Sequence, residues 1–135
     1  MKIAIPVWEN KVSPVLDTAS RLLVVELKEG GEMSRFEIYL DERDLTRRSL
    51  RIQGLGIDTL LCGAVTRYFS DMLTTSGINI VPGFSGQPDE VLQACFEGRL
   101  GRGDFLMPGW NKEHLQEQID SLNLKGAYKR NFEAE

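Results

Sequence analysis

The sequence has little of what most catalytic and metal centres are built from. It contains one histidine, His114, and two cysteines, Cys62 and Cys95. A Ser-His-acid triad would need that single histidine, and no Gly-x-Ser-x-Gly elbow accompanies it. A closed zinc site needs four ligands, more than two scattered cysteines and one histidine supply. No glycine-rich loop ends in Gly-Lys-Ser/Thr, which excludes Walker-type phosphate binding. Gly54-x-Gly56 precedes a strand pattern, whereas a dinucleotide fingerprint follows one. Long apolar runs are missing too, and Leu22–Val25 falls far short of the ~20 residues of a membrane span. There is no cationic excess: 16 Lys+Arg against 20 Asp+Glu give a net charge of −4, so no nucleic-acid partner is expected. The cysteines form no spaced framework, and the chain enters a strand pattern with no charged-then-apolar leader. A reducing cytoplasm is the expected location.

What the sequence does have is an ordinary globular composition, 41% hydrophobic and 27% charged over 135 residues. That is enough for one compact domain without a metal or disulfide staple. Lys2 to Val7 is a short apolar run, read as a buried strand with Pro6 near its end. Trp8 to Asp17 lacks either period and reads as a loop. Arg21 to Lys28 and Met33 to Leu40, flanking Gly30-Gly31, make an antiparallel hairpin. The period then becomes helical through Leu45, Leu50, Ile52 and Leu55, with Arg47, Arg48 and Arg51 read as a solvated face. Ile57 to Leu61 and Ile78 to Val81 are further buried strands. Between and after them, Thr66 to Ser76 and Gln87 to Glu97 read as helices stopped by Gly77 and Gly98.

This alternation is an α/β order. The three strands separated by helices are expected to be parallel with right-handed crossovers, and the hairpin to close one edge of the same sheet. The expected fold is a three-layer α/β/α domain over residues 1–100, on a five-stranded mixed sheet. After Leu100 the character changes. Gly101, Gly103, Pro108 and Gly109 interrupt a segment with Phe105, Leu106, Met107 and Trp110, and Asn111 caps an amphipathic helix to Leu122. Residues 101–135 read as an extension ending in a polar tail.

Open parallel sheets bind ligands outside the carboxyl ends of their strands. Three loops leave those ends: Trp8 to Asp17, Cys62 to Val65, and Pro82 to Gln87. Cys62 is the soft donor among them, although free cysteine is also among the most buried residue types, so ligation and core packing both stand open. Cys95 lies on the apolar side of its helix, and His114 reads as a solvated helix-surface histidine. The strand order suits a ribonuclease-H-like domain, which brings two-metal nuclease chemistry into view. That chemistry needs clustered carboxylates, yet the first strand carries none and Asp58 starts its strand at the opposite end. No catalytic set remains, and the chain is not expected to be an enzyme.

The motifs converge on one family. Met1-Lys2-Ile3-Ala4-Ile5-Pro6-Val7, Val12-Ser13-Pro14 and Ala19 resemble the opening of the dinitrogenase iron–molybdenum cofactor biosynthesis family. It contains the NifX-type carriers and the C-terminal domain of NifB. The resemblance continues at Gly56-Ile57-Asp58-Thr59-Leu60-Leu61-Cys62-Gly63, at Ser76 to Gly83 and at Asp89 to Leu100. It implies a ribonuclease-H-like fold and non-catalytic binding or carrying of an iron–molybdenum-type or other metal–sulfur cluster, a molybdenum–copper sulfide cluster included. The implied partner is a cofactor-assembly or acceptor protein, and the chain itself a monomer or weak homodimer. The implied site comprises Ser13, Pro14, Cys62, Gly63, Ala64 and Gly83, with Cys62 as metal ligand. Backbone N–H groups of Cys62, Gly63 and Ala64, opening a helix, are expected to hold an anion. One departure stands out: where many members continue Ser-Pro with His-Phe-Gly-Arg, this chain has Val15-Leu16-Asp17-Thr18. The alternative is therefore a protein–protein interaction or regulatory module that kept the fold and lost the metal site.

Overall fold

The computed structural model describes residues 1–29, 31–97 and 107. Six strands and three helices follow in the order β1 (Lys2–Trp8), β2 (Lys11–Val12), β3 (Arg21–Lys28), β4 (Gly31–Tyr39), α1 (Leu45–Gln53), β5 (Thr59–Leu61), α2 (Arg67–Thr75), β6 (Asn79–Val81) and α3 (Pro88–Phe96). The strands form one sheet in the order β4-β3-β1-β5-β6, with β2 added to β1. β1, β5 and β6 are parallel, and β3 pairs antiparallel with both β1 and β4. The hairpin thus closes one edge, as expected. The expected extension, including Trp110, His114 and the helix from Asn111 to Leu122, lies outside the described residues apart from Met107.

Alternation along β1 sorts the core into two layers. Ile3, Ile5 and Val7 join Leu23, Val25 and Leu27 beneath Val91, Leu92 and Ala94 of α3. Ala4 joins Leu22 and Val24 beneath Ile52 of α1 and Phe69 and Leu73 of α2. Helices therefore cover both faces, which is why β1 and β3 read as near-continuous apolar runs.

Three expectations need correction, the first being the strand count: β2 adds a sixth strand to the five expected, because the chain turns back on β1 directly after it. Trp8 to Asp17 is not a single loop: Glu9 and Asn10 adopt left-handed φ of 48° and 63°, and Trp8 pairs with Lys11 across them. This is a two-residue hairpin turn whose handedness suits the strand twist. It is hard to read because Glu9 takes a conformation that glycine or asparagine usually supplies. Pro6 lies inside β1, not near its end. Lys2 bonds toward β5 through its amide and its carbonyl, and Pro6, four residues on, accepts on that side from Ser13 N–H (2.8 Å). The missing N–H of Pro6 falls where that side of β1 passes from β5 to β2.

The arginine face of α1 is also less solvated than its pattern suggests. Asp44 caps the helix by accepting from Thr46 N–H (2.8 Å). Arg48 turns inward, 5% exposed, and donates to the carbonyls of Ala19, Glu42 and Leu40. Its guanidinium ties α1 to both ends of the hairpin, and burial lowers its pKa.

Candidate functional site

The loops after β1, β5 and β6 meet at the carboxyl end of the parallel strands and are stitched by backbone hydrogen bonds. Ala64 N–H donates to Pro14 O (2.8 Å) and Leu16 N–H to Ala64 O (2.8 Å), so Val15 and Ala64 form a parallel bridge. Gly83 N–H donates to Gly63 O (2.9 Å), Phe84 N–H to Cys62 O (2.9 Å) and Val12 N–H to Gly86 O (2.8 Å). Met107 returns to the same place, its N–H donating to Gly83 O (2.6 Å). The junction brings together Ser13, Pro14, Gly63, Ala64 and Gly83. Gly63 is sterically required there: a Cβ would stand 2.7 Å from Pro14 O and 2.8 Å from Ser13 O.

Side chains of the first loop close this junction. Leu16 is fully buried in the core layer beneath α1 and α2. The Asp17 carboxylate accepts from Thr66 N–H (3.0 Å) and from the Thr66 hydroxyl, and that hydroxyl in turn accepts from Phe69 N–H (3.3 Å) to cap α2. Asp17 and Leu16 were not singled out in the sequence as structural residues. The only available signal was their place between Ser13-Pro14 and a strand.

Cys62 is fully buried in the same apolar layer, among Leu16, Phe69 and Leu73. Burial, with a smaller contribution from the Asp17 carboxylate, pushes its thiol up to about 12. Of the two roles the sequence left open for Cys62, this placement is that of core packing: the side chain lies under the junction and does not face the crevice. The expected amide cradle is corrected as well. Cys62 N–H donates to Val81 O (3.1 Å) and Ala64 N–H to Pro14 O, and α2 starts only at Arg67. These amides serve the sheet and the loop junction and do not open a helix toward a ligand.

Clefts also lie elsewhere among the described residues. One, about 470 Å³, opens between β3, β4 and the start of α3, with Arg21, Arg35, Glu37 and Asp89 around Val7 and Leu23. Another, about 430 Å³, runs between α1 and α2 past Leu50, Tyr68 and Met72.

Several solved structures share this fold. A protein of Methanocaldococcus jannaschii, MJ0327, provisionally named a dinitrogenase, superposes with a TM-score of 0.61 at 18% identity, over 73% of this chain and 90% of its own. The apo form of the orange protein from Desulfovibrio gigas gives a TM-score of 0.58 at 18% identity, over 73% of this chain and 88% of its own. The protein PH0822 gives 0.73 at 18% identity, over 82% of this chain and the whole of its own. No family model and no curated protein matches the sequence. At this identity the likeness establishes the fold.

The donor set does not fit a cluster ligated by side chains of the junction. Val15 to Thr18 offer neither imidazole nor guanidinium, the thiol is buried, and Asp17 already accepts from Thr66. Among the described residues no group of three His, Cys, Asp or Glu is placed to hold a metal ion. Among those residues, too, no helix is long and apolar enough to cross a membrane.

Proposed function

We propose that this protein is a non-catalytic accessory of metallocofactor assembly that acts through contact with a cofactor-assembly or acceptor protein. In this reading the fold is ribonuclease-H-like and does not ligate the cluster through its own side chains. The resemblance of residues 1–100 and the structural likeness to MJ0327 and the orange protein support the cofactor-associated role. The closure of the junction by Leu16 and Asp17, between Val15 and Thr18 that stand where family members offer histidine and arginine, carries the step from ligation to contact. Fold alone does not fix function, and the altered site supports contact over ligation.

A second reading keeps the chain as a carrier of an iron–molybdenum-type or molybdenum–copper sulfide cluster. It is favoured by the position of the three loops, outside the carboxyl ends of parallel strands where such sheets hold ligands. The experiment is anaerobic purification of the full chain, with elemental analysis for Fe, Mo, Cu and S and a visible spectrum. Reconstitution with tetrathiomolybdate or iron sulfide follows. A colourless, metal-free protein that takes up neither reagent supports the contact reading. Near-stoichiometric metal with a sulfide charge-transfer band overturns it and establishes the carrier. Cys62→Ala then tells whether the thiol becomes a ligand, since unchanged loading would place the cluster elsewhere.

A further inference from the structure

β4 is the outermost strand at the hairpin edge of the sheet, and its outer side has no strand partner among the described residues. Such an edge presents a row of backbone donors and acceptors to any second strand. Its register shift relative to β3 lies between Glu26 and Leu27, opposite Ser34 and Glu32, so Ser34 to Tyr39 runs without interruption. Pairing with β3 sets the faces of this stretch. Arg35 and Glu37 stand opposite Val25 and Leu23, on the α3 side, and Phe36 stands opposite Val24, on the α1/α2 side. Phe36 is 44% exposed. Arg35 is fixed in place by a double bond pattern to Glu32 (3.1 and 2.7 Å) and by Asp89 of α3, while Glu37 lies 3.5 Å from Arg21.

We propose that β4 pairs antiparallel with β4 of a second copy of this chain, centred on Phe36, to give a continuous sheet across a two-fold homodimer. Side-chain alternation and charge choose the register. A two-fold axis perpendicular to the sheet keeps each face on its own side, so opposed residues must share parity. Centring on residue 35 sets Arg35 against Arg35, and centring on residue 37 sets Glu37 against Glu37. Centring on Phe36 sets Arg35 against Glu37 twice and Phe36 against Phe36. The two registers adjacent to it oppose like charges, which destabilises an antiparallel pair, and the central one gains two ion pairs and an aromatic pair. Arg35 then continues a ladder of alternating charge, from Glu32 through Arg35 to Glu37 and Arg21 of the other copy. A patch of about one strand is small for a stable interface, so a weak, concentration-dependent dimer is expected.

Sedimentation equilibrium of the full chain, across concentrations and at low and high salt, tests association. Glu37→Lys and Arg35→Glu each place like charges opposite one another, and each is expected to weaken the dimer about tenfold or more. Mixed together, these two variants meet as Arg35 with Glu37 and Lys with Glu, and they are expected to associate where neither does alone. Thermal unfolding of each variant verifies that the monomer fold survives. Phe36→Cys reads the register, because it lies on the two-fold axis and is expected to oxidise to a symmetric disulfide. A cysteine at Tyr39 would face its own copy from ~20 Å away and would not. Cys62 and Cys95 are buried and leave this readout clear. A wild-type chain that stays monomeric at all concentrations overturns the proposal. So does a dimer indifferent to Glu37→Lys, folded variants that fail to associate when mixed, or a disulfide that forms at Tyr39→Cys and not at Phe36→Cys.

Discussion

Replacing Gly63 by alanine tests whether the three loops are locked as a unit. The added Cβ would stand 2.7 Å from Pro14 O and 2.8 Å from Ser13 O, closer than such contacts occur. Neither oxygen can retreat alone, because Pro14 O accepts from Ala64 N–H and the adjoining bridge carries Leu16 N–H to Ala64 O. Making room means overpacking, at ~1–3 kcal/mol, or breaking one or two of these bonds at about 1 kcal/mol each. The expected loss is therefore about 1–3 kcal/mol, and at ~4–8 °C per kcal/mol in a domain of this size the melting temperature should fall by roughly 4–24 °C. Urea unfolding with an unchanged m-value measures it. Gly54→Ala is the control, since its Cβ would meet nothing closer than 3.5 Å and its φ of −66° suits alanine. A loss below ~0.5 kcal/mol for Gly63→Ala, similar to the effect of an ordinary surface change, would refute the crossing of the first loop over the second.

Three further outcomes follow from the same structure. The Cys62 thiol, raised to about 12 in the fold, stays protonated above pH 9 while the unfolded chain ionises. Stability is then full below the unfolded value and falls between pH 9 and 12 by at most ~1.4 kcal/mol per pH unit, a slope that Cys62→Ala should remove in denaturation at pH 8 and pH 10. Arg48→Met leaves the carbonyls of Ala19, Glu42 and Leu40 without this donor and should cost about 2–4 kcal/mol in urea unfolding; Arg47→Met, on an exposed residue, should cost little. Converting Glu9-Asn10 to Asn-Gly relieves two left-handed residues and should raise stability by about 1 kcal/mol, read as a higher melting temperature.

Periodicity and punctuation made the element order legible, because both faces of the sheet are covered and glycine or proline ends nearly every run. The parallel strands and the hairpin edge followed from the same signals. What periodicity could not show were features set by contacts between distant segments. Arg48 reads as one of three surface arginines until the loop at Ala19 is brought against α1. The turn at Glu9-Asn10 is imposed by the pairing of Val7 with Val12, and Glu9, unlike Asn10, has no local preference for left-handed φ to announce it. The loop junction was legible as a place, through strand ends. Its state was not, since a cysteine after a short apolar strand reads equally as ligand or as core. Only the packing of Leu16 and Phe69 settles that the thiol is covered.

The first loop shows how a chain can keep this fold while changing what its crevice offers. A loop over the ends of parallel strands needs its polar groups satisfied whether or not a ligand is present. Here the first loop meets that need internally: Asp17 satisfies the Thr66 amide and hydroxyl, Leu16 fills the layer above Cys62, and the amides of Cys62 and Ala64 bond to Val81 and Pro14. Each bond that closes the junction would have to be replaced by a ligand of matching geometry before a cluster could enter. An anionic cluster would meet, in the Asp17 carboxylate, a charge of its own sign. Opening the junction for such cargo therefore costs the loop's hydrogen bonds, whereas binding a protein at the surface leaves the junction intact. That asymmetry is the physical argument for the proposed reading, in which the protein acts by contact and not by ligation.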